Sequence, residues 1–215
     1  MRDLSVVRLG CVEYREAFEL QTRLHEDRVA GRIGDTLVLL EHPHVYTIGR
    51  RGRAGDVLWN TDTLRARGVD VIETDRGGMV TYHGPGQLVG YPIVGVGADL
   101  VGYLRMLEDA IIATLASFGL RGGRDPINTG VWVNRAKIAA IGVRVARSVT
   151  KHGFALNVST DLSYFAGIVP CGITDRGVTS MALELGEAPA IDGVASACER
   201  CFADVFDYDR ISVNA

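Results

Sequence analysis

Cys171 stands in Gly167-Ile-Val-Pro-Cys-Gly-Ile-Thr174, between a proline and a glycine. These neighbours predict a tight turn that presents the thiol instead of packing it along a strand. A presented thiol can act as a nucleophile if a cationic or basic partner lowers its pKa, because the thiolate is the reactive form. The other reading is an inert, buried small hydrophobe, a common fate of free cysteine. Lys137 opens the apolar stretch Ile138-Ala-Ala-Ile-Gly-Val143. Either its stem lies along apolar surface with the ammonium in water, or it faces a cleft. In a cleft it could pair with a thiolate and later take up or deliver a proton.

Arg76-Gly-Gly-Met-Val-Thr-Tyr-His-Gly-Pro-Gly-Gln-Leu-Val-Gly90 is dense in glycine. Glycines allow positive φ and close approach of another backbone or a ligand, and exposed N–H groups there can bind an anion or a developing oxyanion. His83 sits where a strand ends, so it either faces a cleft or lines the turn of a plain hairpin. Cys198-Glu-Arg-Cys201 has the spacing of half a zinc site or of a redox pair. No second Cys-x-x-Cys and no clustered histidine pair accompanies it, and its helical spacing on an apolar face reads as core packing. His42 and His44 flank Pro43 and read as polar side chains of a turn, with metal ligation as the alternative. No metal and no cofactor is expected.

These residues must be positioned by one compact chain. The sequence has 215 residues, enough to bury a sizeable core, is 47% hydrophobic and 23% charged, and carries a net charge of −3. That balance lacks the basic excess of a nucleic-acid binder. No apolar run reaches the ~18 residues of a membrane span, and Met1-Arg2-Asp3-Leu4-Ser5 has no apolar signal core, so a cytoplasmic location is expected. The four cysteines do not make a disulfide framework and would stay reduced there.

Apolar periodicity predicts strands at Leu4 to Leu9 and Thr36 to Leu40, with a helix over about 12–30 between them. Further strands are predicted at Val69 to Glu73, Met79 to Tyr82 and Gln87 to Val94, the last two around a Gly-Pro-Gly turn. A long helical period covers Leu100 to Leu120. Strands follow at Gly130 to Val133, Ile138 to Val145, Gly153 to Val158 and Val178 to Leu183. A last helix runs from about Ile191 to Phe206. Helices interleaved with hairpins differ from regular strand–helix alternation, so an α+β fold is expected: a mixed, largely antiparallel sheet flanked by helices. Residues 1–215 are read as a single catalytic domain.

Five segments in order resemble the octanoyltransferase family of lipoate biosynthesis. They are Arg76-Gly-Gly with Val80-Thr-Tyr-His-Gly-Pro-Gly-Gln-Leu88; Thr129-Gly-Val-Trp-Val133; Lys137-Ile-Ala-Ala-Ile-Gly-Val143; Thr150-Lys-His-Gly-Phe-Ala-Leu-Asn-Val158; and Ile168-Val-Pro-Cys-Gly-Ile173 with Gly177-Val-Thr-Ser180. The resemblance implies that Cys171 is the acyl-thioester nucleophile and Lys137 its partner and acid/base. It implies that Arg76, Gly77, Gly78, Met79, Val80, Thr81, Tyr82 and His83, then Ala140, Ile141 and Gly142, then Gly153, Phe154 and Ala155, bind the acyl substrate. It implies a fold similar to the catalytic domain of lipoate and biotin ligases. Met79, where the family often has a polar residue, and Ala136, where an arginine often precedes the lysine, depart from its pattern.

The implied partners are octanoyl-acyl carrier protein as donor and, as acceptors, the lipoyl domains of 2-oxoacid dehydrogenase E2 subunits and the glycine cleavage H protein. Neither nucleic acid nor membrane is implied, and the chain is expected to be a monomer. A thioester is already activated, so no ATP is needed. The dual role asked of Lys137 requires a pKa well below ~10.4, which partial burial could supply. The main rival is an ATP-dependent lipoate- or biotin-type protein ligase, since Gly49-Arg-Arg-Gly-Arg-Ala-Gly55 superficially looks like an adenylate loop. A non-catalytic module that holds an acyl chain or carrier protein is the second rival.

Overall fold

The computed structural model describes residues 2–169 and 177–214. The elements in chain order are β1 (Asp3–Cys11), α1 (Tyr14–Val29), β2 (Asp35–Glu41), β3 (Val45–Ile48), α2 (Thr61–Ala66), β4 (Asp70–Glu73), β5 (Val80–His83), β6 (Gln87–Ile93), α3 (Leu100–Ala116), β7 (Gly123–Arg124), β8 (Val131–Val133), β9 (Ala136–Ala146), β10 (Val149–Asn157), α4 (Met181–Leu185), α5 (Ile191–Val205) and β11 (Arg210–Asn214). Short 3-10 turns occupy Ala54–Asp56 and Leu162–Gly167.

Eight strands form one sheet in the order β11-β1-β2-β6-β10-β9-β8-β7. The pairs β11–β1 and β1–β2 are parallel, and the remaining pairs are antiparallel. A second sheet, β4-β3-β5, stands beside it. The sheet is therefore mixed and largely antiparallel, as the patterning predicts.

Strand alternation sorts side chains to the two faces of the large sheet. Leu37 and Leu39 of β2 join the core built with Leu107, Ile111 and Leu115 of α3 and Val194, Cys198 and Phe202 of α5. Val38 and Leu40 face the other way and pack with Ala17 of α1. Each fully buried Leu, Ile or Phe contributes roughly 1.5–3 kcal/mol, so these two layers hold the sheet rigid beneath the site. The small sheet has its own core, where Tyr46 and Tyr82 pack with Trp59, Tyr164 and Phe165.

Two sequence readings are corrected. Val178 to Leu183 is not a strand: Val178 makes one isolated parallel bridge to Lys137, and α4 starts at Met181. The Ser180 hydroxyl caps that helix by accepting the Leu183 N–H at 3.2 Å, a signal the apolar run had masked. The Gly-Pro-Gly turn does not close a hairpin. β5 pairs with β3 in the small sheet, whereas β6 pairs with β2 and β10 in the large one. Gly86 takes φ +77° there, and a Cβ on it would lie 2.6 Å from the Ser159 hydroxyl, so only glycine fits this crossing.

Candidate active site

A cleft of about 500 Å³ opens where the two sheets meet. Its wall follows β9 and β10, whose antiparallel register sets Ala155 opposite Ala140, Phe154 opposite Ile141 and Gly153 opposite Gly142. Its roof is the segment Arg76 to Gly78, which runs from the small sheet across β9. The Gly77 N–H donates to the Val143 carbonyl at 3.0 Å, and a Cβ on Gly142 would come within 2.9 Å of the Gly77 carbonyl oxygen. Glycines at both positions let the backbones close together.

Lys137 lies at the opposite end of this stretch of β9 and is nearly buried, at 9% exposure. Its Nζ donates to the Thr129 carbonyl at 3.2 Å and stands 4.9 Å above the Trp132 ring. Its backbone is fixed by the returning chain: the Lys137 N–H donates to Gly177 and the Thr179 N–H to the Lys137 carbonyl. The loop supplying Thr129 is held in turn by a carboxylate. Glu108, fully buried on α3, accepts the Gly130 N–H at 3.1 Å and pairs with Arg105 and Arg124. Sequence patterning misses Glu108, because a charge inside a helical period reads as its solvated face.

His83 is buried where the chain changes sheets. Gln87 gives its amide N–H groups to the Tyr82 carbonyl and to Asn157 Oδ1, so its Oε1 must accept, and His83 Nδ1 carries the proton at 2.8 Å. Asn157 passes the connection on, donating to the Thr179 carbonyl at 2.9 Å. One run of hydrogen bonds thus leads from His83 to Thr179, whose N–H is bonded to the Lys137 carbonyl. Burial holds the His83 pKa well below its usual value, so the imidazole is neutral.

Tyr14, Tyr91 and His42 surround His83 at the base of the cleft. His42 is fully buried: Nδ1 donates to the Val12 carbonyl and Nε2 accepts from the Tyr91 hydroxyl, both at 2.6 Å. The expected polar turn is in fact split, since His44 points to the small sheet, stacks on Tyr164 and bonds the Tyr82 hydroxyl at 2.7 Å. Among the described residues no group of three or more His, Cys, Asp or Glu side chains could hold a metal ion. Cys198 packs in the core, where burial pushes its thiol up to about 12, and Cys201 is half-buried beside Ser117.

Of the residues assigned by sequence, Lys137, Arg76, Gly77, Gly78, Val80, Thr81, His83, Ala140, Ile141, Gly142, Gly153, Phe154 and Ala155 line the cleft. Met79 and Tyr82 do not. The Tyr82 ring lies in the small-sheet core and stacks on Tyr164 at 5.1 Å, because alternation along β5 turns it away from its neighbours Thr81 and His83. The Met79 carbonyl accepts the Gly49 N–H. Cys171 lies outside the described residues, as does the whole of 170–176. Arg76 lines the cleft yet spends most of its guanidinium on structure, clasping the Thr47 carbonyl and hydroxyl at 2.5–3.1 Å. His152 also lines the cleft and was not singled out from its motif.

This two-sheet scaffold is the catalytic fold of the protein ligases that attach lipoyl and biotinyl groups. It superimposes on the bipartite lipoate protein ligase of Thermoplasma acidophilum with a TM-score of 0.77 at 19% identity, covering 100% of this chain and 88% of that one. The biotin protein ligase of Aquifex aeolicus gives 0.55 at 12% identity, covering 96% and 70%. At such identities the likeness concerns fold alone. Residues 13–203 match the family model of the lipoyl protein ligase A/B catalytic domain. An octanoyltransferase of Solibacter usitatus is 51% identical over 214 residues, covering 98% of this chain and 96% of that protein. The chain belongs to the lipoyl protein ligase A/B catalytic family and, within it, to the octanoyltransferases, enzymes that transfer an acyl group in lipoylation.

Proposed function

We propose that this chain moves an octanoyl group from octanoyl-acyl carrier protein to the lysine amine of a lipoyl domain, through an acyl-cysteine at Cys171. The observation that carries the reading is the placement of Lys137: a nearly buried ammonium at one end of a cleft whose wall is otherwise largely apolar. Phe165 and Val178, described residues on either side of 170–176, both line that cleft, which supports Cys171 as the partner.

In the first half-reaction the Cys171 thiolate attacks the octanoyl carbonyl. The carrier's thiolate leaves and takes a proton from the Lys137 ammonium. In the second, the lipoyl-domain lysine attacks the acyl-cysteine. Lys137, now neutral, takes the amine's proton, and Cys171 leaves as a thiolate beside the restored ammonium. Ala140 to Gly142, Gly153 to Ala155 and the glycine roof enclose the alkyl chain. Arg50, Arg51 and Arg53 are exposed, and Arg51 reaches the cleft, which suits the phosphate of a carrier's prosthetic arm.

The acceptors in this reading are the lipoyl domains of 2-oxoacid dehydrogenase E2 subunits and the glycine cleavage H protein. Residues 1–215 act as one catalytic domain, a cytoplasmic monomer that uses no cofactor. Among the described residues no helix is long and apolar enough to cross a membrane. Intact mass spectrometry after incubation with octanoyl carrier protein tests the reading: one octanoyl adduct is expected, mapping to Cys171 and absent in Cys171→Ser. An ATP–pyrophosphate exchange activity without that adduct would favour the ligase chemistry instead.

A further inference from the structure

The carbonyl that holds Lys137 belongs to a peptide group whose other end is gripped by a buried carboxylate. Thr129 and Gly130 share that peptide. Its C=O accepts from Lys137 Nζ at 3.2 Å, and its N–H donates to Glu108 Oε1 at 3.1 Å. A trans peptide points its C=O and N–H in opposite directions. Its dipole, about 3.5 D, therefore has an anion at the positive end and an ammonium at the negative end. The path from Oε1 through the peptide to Nζ places the two charges at most about 9 Å apart.

A carboxylate is costly to bury unless it is paired and hydrogen-bonded. Glu108 is fully buried, and its Oε2 pairs with Arg105 at 2.7 Å and Arg124 at 3.0 Å. Arg124 also pairs with Asp109, so two carboxylates and two guanidiniums balance. Oε1 is turned to the Gly130 N–H instead. A neutral amide oxygen could satisfy that N–H, but it would place no negative charge behind the Thr129 carbonyl. The loop itself is fixed. Gly130 has φ +126°, and a Cβ on it would lie 2.5 Å from the Ala139 carbonyl oxygen and 3.4 Å from Lys137 Cε. Asp125, buried in the same loop, accepts the Ile127 and Asn128 N–H groups at 3.0 and 2.8 Å.

We infer that Glu108 is a positioning residue for Lys137: through the Thr129–Gly130 peptide its carboxylate aims the carbonyl that holds Nζ and favours the protonated amine. The inference rests on the acyl-transfer reading above and adds to it the group that keeps the lysine charged for the first half-reaction. Burial disfavours an ammonium, and the aligned, polarised peptide offsets part of that cost. Glu108→Gln still offers Gly130 an oxygen, but it removes the anion and leaves Arg105 and Arg124 in excess. Both changes disfavour the Lys137 ammonium. The other charged or titratable groups on the elements around Lys137 are Asp125 of the loop, exposed Arg135, Glu184 bonded to the Thr179 hydroxyl, and Arg76, His83 and His152 along the cleft. Glu108→Gln alters none of them, nor the Cys171 thiol of the proposed mechanism.

The test is single-turnover acylation of Cys171 by octanoyl carrier protein, from about pH 6 to 10, in wild type, Glu108→Gln, Arg105→Gln and Lys137→Arg, with folding followed by urea denaturation. Acylation uses the ammonium, so its rate falls as pH rises through the point where Lys137 loses its proton. Lys137→Arg stays cationic and should lack that fall. Glu108→Gln is expected to move the fall to lower pH by at least ~0.5 pH units. Arg105→Gln strips a half-exposed cation from Glu108 and should move it to higher pH by a smaller step. Opposite shifts from the two members of one ion pair follow from charge, whereas a merely structural role lowers rates and leaves the fall in place. A folded Glu108→Gln with an unmoved fall would overturn the inference, as would a fall that persists in Lys137→Arg or is absent from wild type. Should Glu108→Gln fail to fold, Arg105→Gln decides alone: an upward move supports the role of Glu108 and an unmoved fall sinks it. A wild type that forms no octanoyl adduct would overturn the acyl-transfer reading itself. A wild type that forms the adduct, with the variants unmoved, would overturn only the role of Glu108.

Discussion

His83 and Gln87 are joined across a change of sheet: Nδ1 of one lies 2.8 Å from Oε1 of the other, although His83 ends β5 and Gln87 begins β6. Gln87 is also the link to Asn157, so this single amide sets the histidine tautomer and ties the small sheet to β10. Gln87→Leu removes all three bonds and strands the His83 N–H and the Tyr82 carbonyl in the interior. A loss of about 2 kcal/mol or more is expected, since each buried orphan costs ~1–3 kcal/mol. Urea denaturation checks the stability, and transfer rates normalised to folded protein should also fall.

Under the acyl-cysteine mechanism proposed above, variants of Lys137 separate charge from proton transfer. Arginine at this position stays cationic and can still donate to the Thr129 carbonyl and stack on Trp132, so Lys137→Arg should retain part of the acylation of Cys171. It cannot become neutral to accept the amine's proton, so acyl-enzyme should accumulate. Lys137→Ala should impair both half-reactions. Single-turnover measurement of each half decides, and normal transfer from acyl-enzyme in Lys137→Arg would rule out Lys137 as the base.

His42 makes the fold acid-sensitive. Burial lowers its pKa from the usual 6.5 to about 4, against a weaker opposing hydrogen bond to Val12. The unfolded chain therefore binds a proton that the folded one resists, and stability is full above pH 6.5 and lost as pH falls toward 4. The loss attributable to this residue is about 3 kcal/mol. Protonation also removes the lone pair that accepts from the Tyr91 hydroxyl. Urea midpoints at pH 7.5, 5.5 and 4.5 should show the decline, and His42→Gln, less stable at neutral pH, should show a shallower one.

Gly153 admits no side chain. A Cβ there would lie 2.1 Å from the Gly90 carbonyl oxygen and 2.5 Å from Pro92, both on the paired strand β6. Gly153→Ala must push β10 from β6 at the wall of the cleft, and a destabilisation of about 3 kcal/mol is expected. Thermal denaturation measures it, and octanoyl turnover should fall further than the loss of folded protein explains.

The long elements were legible in the sequence because their periods are undiluted. Tyr14 to Val29 and Leu100 to Ala116 carry helical stripes, and Ala136 to Ala146 and Val149 to Asn157 are long enough to read as strands. Short elements were not. β3 has four residues after His-Pro-His, and β11 has five near the chain end, so neither offers a period to count. The partition into two sheets was hidden too, since a Gly-Pro-Gly turn looks alike whether the next strand folds back or leaves. Motif resemblance named many of the residues that line the cleft, but alternation cannot be applied until β5 has a partner, and it is that pairing which turns the Tyr82 ring toward the small-sheet core. Asp75 and His152, whose side chains meet at 2.6 Å, escaped because that contact joins residues 77 apart. The available signals were a carboxylate just before Arg-Gly-Gly and a histidine just before Gly153.

The close approach of β6 to β10, and of the glycine roof to β9, also changes how mutational data on this enzyme must be read. Alanine scanning is ordinarily a subtraction. At Gly77, Gly90, Gly142 and Gly153 it is an addition, placing a methyl between 2.1 and 3.1 Å from a carbonyl or an aromatic ring. A scan would therefore score these positions as severe and invite the conclusion that glycine supplies a contact there. What the enzyme keeps at those four sites is close approach, since the space a methyl would take is already held by the facing atom, and the informative comparison is one that deletes a facing atom instead, such as Phe154→Leu opposite Gly90.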